Sequence, residues 1–131
     1  MNISSYFKSV IDSDYQPIVI CDLNHVVVYM NPSAISRYSK RGGSSLIGKS
    51  LLNCHNKESN EKILKCLEWF KRDPKNNVVF TFRNQSDDND YDVYMIALRN
   101  DLGELIGYYE KHENRIHEDM PQYHFLLEND Q

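Results

Sequence analysis

The chain has 131 residues, 40% of them hydrophobic and 26% charged, which suits one domain of ordinary size with a real core. Its net charge is -4 with no basic run at either end, which argues against nucleic-acid binding, and no apolar run reaches the length of a membrane helix. The start, Met1-Asn2-Ile3-Ser4, lacks the pattern of a signal peptide, and the three cysteines, Cys21, Cys54 and Cys66, form no CxxC pair; free thiols in a reducing cytoplasm are expected.

Residues 2–14 read as an amphipathic helix, with Ile3, Tyr6, Phe7, Val10 and Ile11 at helical spacing. A helix this short is marginal alone and must dock on something. Pro17 to Pro32 then reads as a hairpin: two β-branched apolar runs flank Asp22-Leu23-Asn24-His25, and Asp and Asn suit a tight turn. Ile18 to Cys21 is apolar on both faces, so this strand is expected mid-sheet with both faces covered. Asn31 as N-cap and Pro32 at the first helical position start a short helix to Tyr38. Ser39 to Ser45 is a polar, glycine-rich loop by composition. Ser59 to Lys71 is the clearest helix, with Ile63, Leu67 and Phe70 in one stripe widened by Leu64 and Cys66, and Asn56 or Ser59 as cap.

Three strands follow in a meander: Val78 to Arg83, Tyr91 to Arg99 and Glu104 to Lys111. Strict alternation places Val78, Phe80 and Phe82 on one face of the first. The order of elements divides the chain into an N-terminal helix (1–14), a domain (15–115) and an acidic tail (116–131) expected to lack regular structure, although Phe125-Leu126-Leu127 could form a docking turn.

Several of these residues resemble the front half of a PAS domain. Asn31 and Ala34 match its "N-x-x-A" helix, and Gly48, Lys49 and Leu51 match its "Gly-(Lys/Arg)-x-(Leu/Val)" element. Gly103-Glu-Leu-Ile-Gly107 resembles the family's last strand, and Asn53-Cys54-His55-Asn56-Lys57-Glu58-Ser59 is similar to the "N-C-H-P-P-K-S" element of bacterial PAS domains found joined to hemerythrin-like domains. The two prolines of that element are absent here. The resemblance implies an α+β fold: a five-stranded antiparallel sheet, short helices on one face and the amphipathic helix in front. It also implies a stand-alone signal-sensing module with a small molecule or partner protein bound between helices and sheet.

The candidate ligand-binding residues are Asn53, Cys54, His55, Tyr94 and Tyr108. By its position His55 braces a helix entry through backbone hydrogen bonds; the functional alternative makes it a heme or metal ligand at the pocket mouth. Cys54 reads as a small buried hydrophobe, or alternatively as a redox-sensitive thiol. Tyrosines on the strands can point a hydroxyl into a pocket. Adjacent Cys54 and His55 do not form a nucleophile–base pair, so no enzyme is expected. Gly43-Ser-Ser-Leu-Ile-Gly48-Lys49-Ser50 fits GxxxxGK(S/T), but no strand precedes it and no long helix follows it directly. Asp87, Asp88, Asp90 and Asp92 lack the glycine and distal glutamate of a calcium loop. His25 in the hairpin turn is expected to be solvated, and His112, His117 and His124 to follow the last strand in an exposed tail. No residue pattern selects the cofactor; heme or another small molecule fits the resemblance, as does a ligand-free interaction module. A homodimer in which residues 2–14 take part is expected, because the helices would cover only one face of an apolar central strand.

Overall fold

A computed structural model describes residues 3–127. The first two residues of the expected N-terminal helix and the last four of the tail lie outside them. Eight regular elements form in chain order: α1 (Ile3–Asp12), β1 (Ile18–Asp22), β2 (Val27–Met30), α2 (Pro32–Arg37), α3 (Lys57–Arg72), β3 (Val78–Asn84), β4 (Tyr91–Arg99) and β5 (Leu105–Asn114). The strands make one antiparallel sheet in the order β2-β1-β5-β4-β3. β1 therefore pairs on both sides, as its two-faced apolarity requires.

The hairpin β1–β2 turns through His25, whose φ is +66°. Asp22 Oδ1 accepts from the amides of Asn24 and Val26 and closes the turn. His25 is not solvated, as its turn position suggests, but buried; its Nδ1 lies 2.7 Å from the Tyr108 hydroxyl. The left-handed backbone swings this imidazole inward onto β5. β5 must approach β1 closely at Gly107, where a Cβ would stand 2.3 Å from the Cys21 carbonyl oxygen.

Asn31 joins the front of the molecule together. Its Oδ1 caps α2 through the Ala34 amide and also accepts from the Ile18 amide, both at 2.9 Å. Its Nδ2 donates to the carbonyls of Ile11 and Gln16, both at 3.0 Å. The end of α1, the linker, β1 and α2 thus meet at one fully buried side chain.

α3 crosses the inner face of the sheet. Asn56 caps it, and Ile63, Cys66, Leu67 and Phe70 are buried against Val19, Met95 and Tyr108, while Leu64 faces solvent. The outer face receives α1 along its C-terminal half, where Lys8 lies over the Tyr29 ring and Val10 and Ile11 border a groove with Ile18, Ile20 and Tyr109.

The structure corrects several local expectations. A bulge in β3 at Thr81 shifts the register, so Phe82 pairs with Val93 and lines the inner face instead of joining Val78 and Phe80 outside. The loop after α2 winds into short 3-10 turns at Ser39–Arg41 and Gly43–Leu46. The phosphate-loop spelling folds as something else: the amides of Gly48, Lys49 and Leu51 are used by the carbonyls of Val27, Leu46 and His25. Those donors are not open to a phosphate. β5 runs on to Asn114, so His112 is a buried strand residue rather than part of a tail. Arg83 grips Asp92 with two hydrogen bonds and Arg115 reaches Asp90, so the acidic loop is braced by arginines. The tail forms a 3-10 turn at Tyr123–Leu126 with its apolar side chains exposed. No helix among the described residues is long and apolar enough to cross a membrane.

Candidate functional site

Inward positions on a strand recur with period two. On β5 those positions are Tyr108, Glu110 and His112, and on β4 they include Val93 and Met95. Tyr108 meets α3 and His25 and fills the core. Two residues further on, the same face opens into a cavity of about 460 Å³ with Glu110 and His112 on its floor. α2 and the turn after it supply Arg37, Tyr38 and Arg41 to one wall, and α3 supplies Ser59, Lys62 and Ile63 to the other. Thr81 and Phe82, turned inward by the bulge, close the side towards β3.

His55 enters this cavity from the segment before α3. Its Nδ1 lies 3.0 Å from the Leu51 carbonyl oxygen. A carbonyl only accepts, so Nδ1 carries the proton, and in the neutral ring Nε2 presents a lone pair. That nitrogen lies 3.9 Å from Glu110 Oε2, beyond hydrogen-bonding distance, and Oε2 is buried without a partner. Burial pushes the Glu110 carboxyl above the usual carboxylate range, and the nearby His55 opposes this. His112 stacks on Tyr91 with ring centroids 4.8 Å apart. Burial, helped by Arg37, pushes its imidazole down to about 4, so it is neutral at physiological pH.

The cavity carries an uneven charge distribution. Glu110 is the only acidic side chain among the described residues that line it, against three cations: Arg37, Arg41 and Lys62. Each cation is held by a neutral oxygen: Arg37 by the Tyr91 hydroxyl at 2.6 Å, Arg41 by the Cys54 carbonyl and Lys62 by the Thr81 carbonyl at 3.1 Å.

Of the five residues singled out from the sequence, His55 alone lines this cavity. Cys54 stands behind it, against a nearly filled space of about 10 Å³ shared with Val19 and Met30. Asn53 is exposed on the 3-10 turn Leu51–Cys54. Tyr94 lies on the outer sheet face with its ring 5.4 Å from that of Phe80. Tyr108 is fully buried, its hydroxyl committed to His25. Sequence reasoning passed over Glu110, Arg37 and Arg41. The signal for Glu110 was present: an acidic residue two positions from a core tyrosine on one strand face.

No family model matches the sequence, and no curated protein matches it. Solved structures do match in shape. A C-terminal domain from Streptococcus mutans superposes with a TM-score of 0.69 over 95% of this chain and 89% of that one, at 17% identity. The PAS domain of a protein from Colwellia psychrerythraea gives a TM-score of 0.61, with 13% identity, 86% of this chain and 97% of that one covered. A receptor from Vibrio cholerae described as a dual PAS-heme oxygen sensor gives 0.54, with 15% identity and 77% and 95% covered. At these identities the likeness defines the architecture, and the chain has the PAS fold.

Proposed function

We propose that this chain is a PAS sensory module that takes a small organic molecule into the cavity between α2, α3 and the sheet. The observation that carries the reading is the Glu110 Oε2 atom, buried without a hydrogen-bond partner on the floor of a cavity of about 460 Å³. Buried polar groups are almost always hydrogen-bonded, and exceptions concentrate where a ligand or a reaction supplies the missing partner. The volume lies in the range of small-molecule sites. Residues 15–115 form the module in this reading, with α1 as its output surface. Glu110 is flanked on β5 by Tyr109 and Lys111, which line the groove beneath α1, and Lys111 Nζ lies 3.4 Å from Asp14. A ligand that moves Glu110 would thus move a strand on which α1 rests.

The signal passes to a second copy of the chain through α1. Ile3, Tyr6, Phe7 and Val10 are 53–70% exposed on one face of this helix, and no residue of the helix is buried. Light scattering at several concentrations should show a dimer that Phe7→Glu converts to a monomer. A wild-type chain that is monomeric at high concentration removes this part of the reading.

Heme is the specific alternative, favoured by His55 in the cavity wall. Native mass spectrometry of the purified protein, together with its visible spectrum, tests both. The expected result is a retained low-mass organic molecule with no Soret band. A Soret band that His55→Ala abolishes would establish the heme reading. A protein that carries nothing, and whose amide spectrum responds to no compound in a fragment screen, would leave only the interaction module.

A further inference from the structure

The floor and the mouth of the cavity ask for opposite things. At the floor, the Leu51 carbonyl holds the His55 proton on Nδ1, and Glu110 Oε2, 3.9 Å from Nε2, has no hydrogen-bond partner. At the mouth, Arg37, Arg41 and Lys62 are three donors with full positive charge. None of them makes a salt bridge among the described residues, in a chain whose net charge is -4. Between them the walls carry apolar and aromatic side chains, Tyr38, Ile63, Phe82, Val93 and Met95, beside the polar Ser59 and Thr81.

We infer that the ligand is an organic ampholyte: a carboxylate that meets Arg37, Arg41 and Lys62 at the mouth, a short apolar body, and an amine that donates to Glu110 at the floor. The inference rests on the cavity being a ligand site and adds which chemistry it selects. A carboxylate matches the guanidinium forks at the mouth through charge-assisted hydrogen bonds. An ammonium brings a donor to the Glu110 oxygen that has no partner. A ligand with only the acid would leave the Glu110 carboxyl unpartnered. A ligand with only the amine would meet the three cations on its way in.

Three probes of one shape separate these terms: 4-(aminomethyl)benzoate with both groups, 4-methylbenzoate with the acid alone and benzylamine with the amine alone. Titrations of the full chain by calorimetry, with amide spectra to place the bound probe, should rank them in that order. The ampholyte should bind about tenfold or more tightly than 4-methylbenzoate, the size of one charge-assisted hydrogen bond to a buried acceptor. Glu110→Gln keeps the shape and should remove that advantage, so that the ampholyte and 4-methylbenzoate bind alike. Arg41→Gln should weaken both acids alike. Equal affinity for the ampholyte and 4-methylbenzoate, or an ampholyte affinity indifferent to Glu110→Gln, would overturn the inference and leave the cavity's role as a ligand site standing. The failure of all three probes to shift any amide around Phe82, Met95 and Glu110 would also overturn it. In that case a molecule retained in native mass spectrometry would show that the site exists but selects other chemistry.

Discussion

Asn31 and Glu110 are both polar side chains turned into the interior, and they are treated in opposite ways. Around Asn31 each polar atom is used: the carbonyl oxygen accepts from two amides and the nitrogen donates to backbone carbonyls of two segments. Around Glu110 one oxygen has no hydrogen-bond partner, His55 Nε2 stands 3.9 Å from it, and about 460 Å³ of space adjoins the side chain. A polar group that holds a fold together is satisfied by the fold. A polar group left unsatisfied beside a cavity raises the energy of the empty protein and lowers it again when a partner arrives. The contrast separates the half of the molecule that is built from the half that is kept open.

The largest effect should come from breaking the satisfied side. Asn31→Ala removes an N-cap and strands the buried Ile18 amide, which together should cost about 3–5 kcal/mol in denaturant unfolding. A loss under about 0.5 kcal/mol, the level of a surface change, would show that water replaces these bonds freely. Next is the packing beside it. Leu67 is buried in the stripe of α3 that faces the sheet, and Leu67→Ala should cost about 2–5 kcal/mol by the same measurement.

The pH dependence sharpens the comparison. Burial raises the Glu110 carboxyl, so the folded chain holds a proton that the unfolded chain has released. The stability this brings is complete below the ordinary carboxylate value and is lost as pH climbs through the raised one. His112, pushed down to about 4, acts in the opposite sense: its contribution is complete above the ordinary imidazole value and is lost as pH falls towards about 4. Glu110→Gln removes the first slope and leaves the second, so the variant should gain on wild type as pH rises from acid to neutral. Parallel stability–pH curves for the two proteins would contradict the burial argument. The smallest expected effect is at His55. Its Nε2 faces Glu110 Oε2 at 3.9 Å inside the cavity, and hemin titration should show no Soret band that depends on His55. A sharp one lost in His55→Ala would move the function to heme.

Much of the architecture was legible because it rests on local rules. The two-faced apolarity of Ile18 to Cys21 gave a strand with two neighbours, and the Asn31-Pro32 pair gave a capped helix. The stripe of α3 and the meander of β3, β4 and β5 follow from periodicity and short connections. The misreadings come from long-range contacts. The bulge that turns Phe82 inward is set by pairing with β4, which alternation within one strand does not contain. His25 looked like a turn residue, and its burial depends on Tyr108, 83 positions away. The site was less legible than the fold for the same reason. The conspicuous Asn53-Cys54-His55 run contributes one side chain to the cavity, whereas Arg37, Arg41, Lys62 and Glu110 come from four separate segments and look ordinary in each.

The account stands most directly on the stability of ligand-free Glu110→Gln, measured by denaturant unfolding at neutral pH after any retained molecule is removed. If Glu110 is kept for a partner and not for the fold, the variant should be at least as stable as wild type, within about 0.5 kcal/mol or above it. A loss of several kcal/mol, comparable to that at Asn31, would show that the carboxyl is a structural group already satisfied within the chain, and the cavity would lose its claim to be the site.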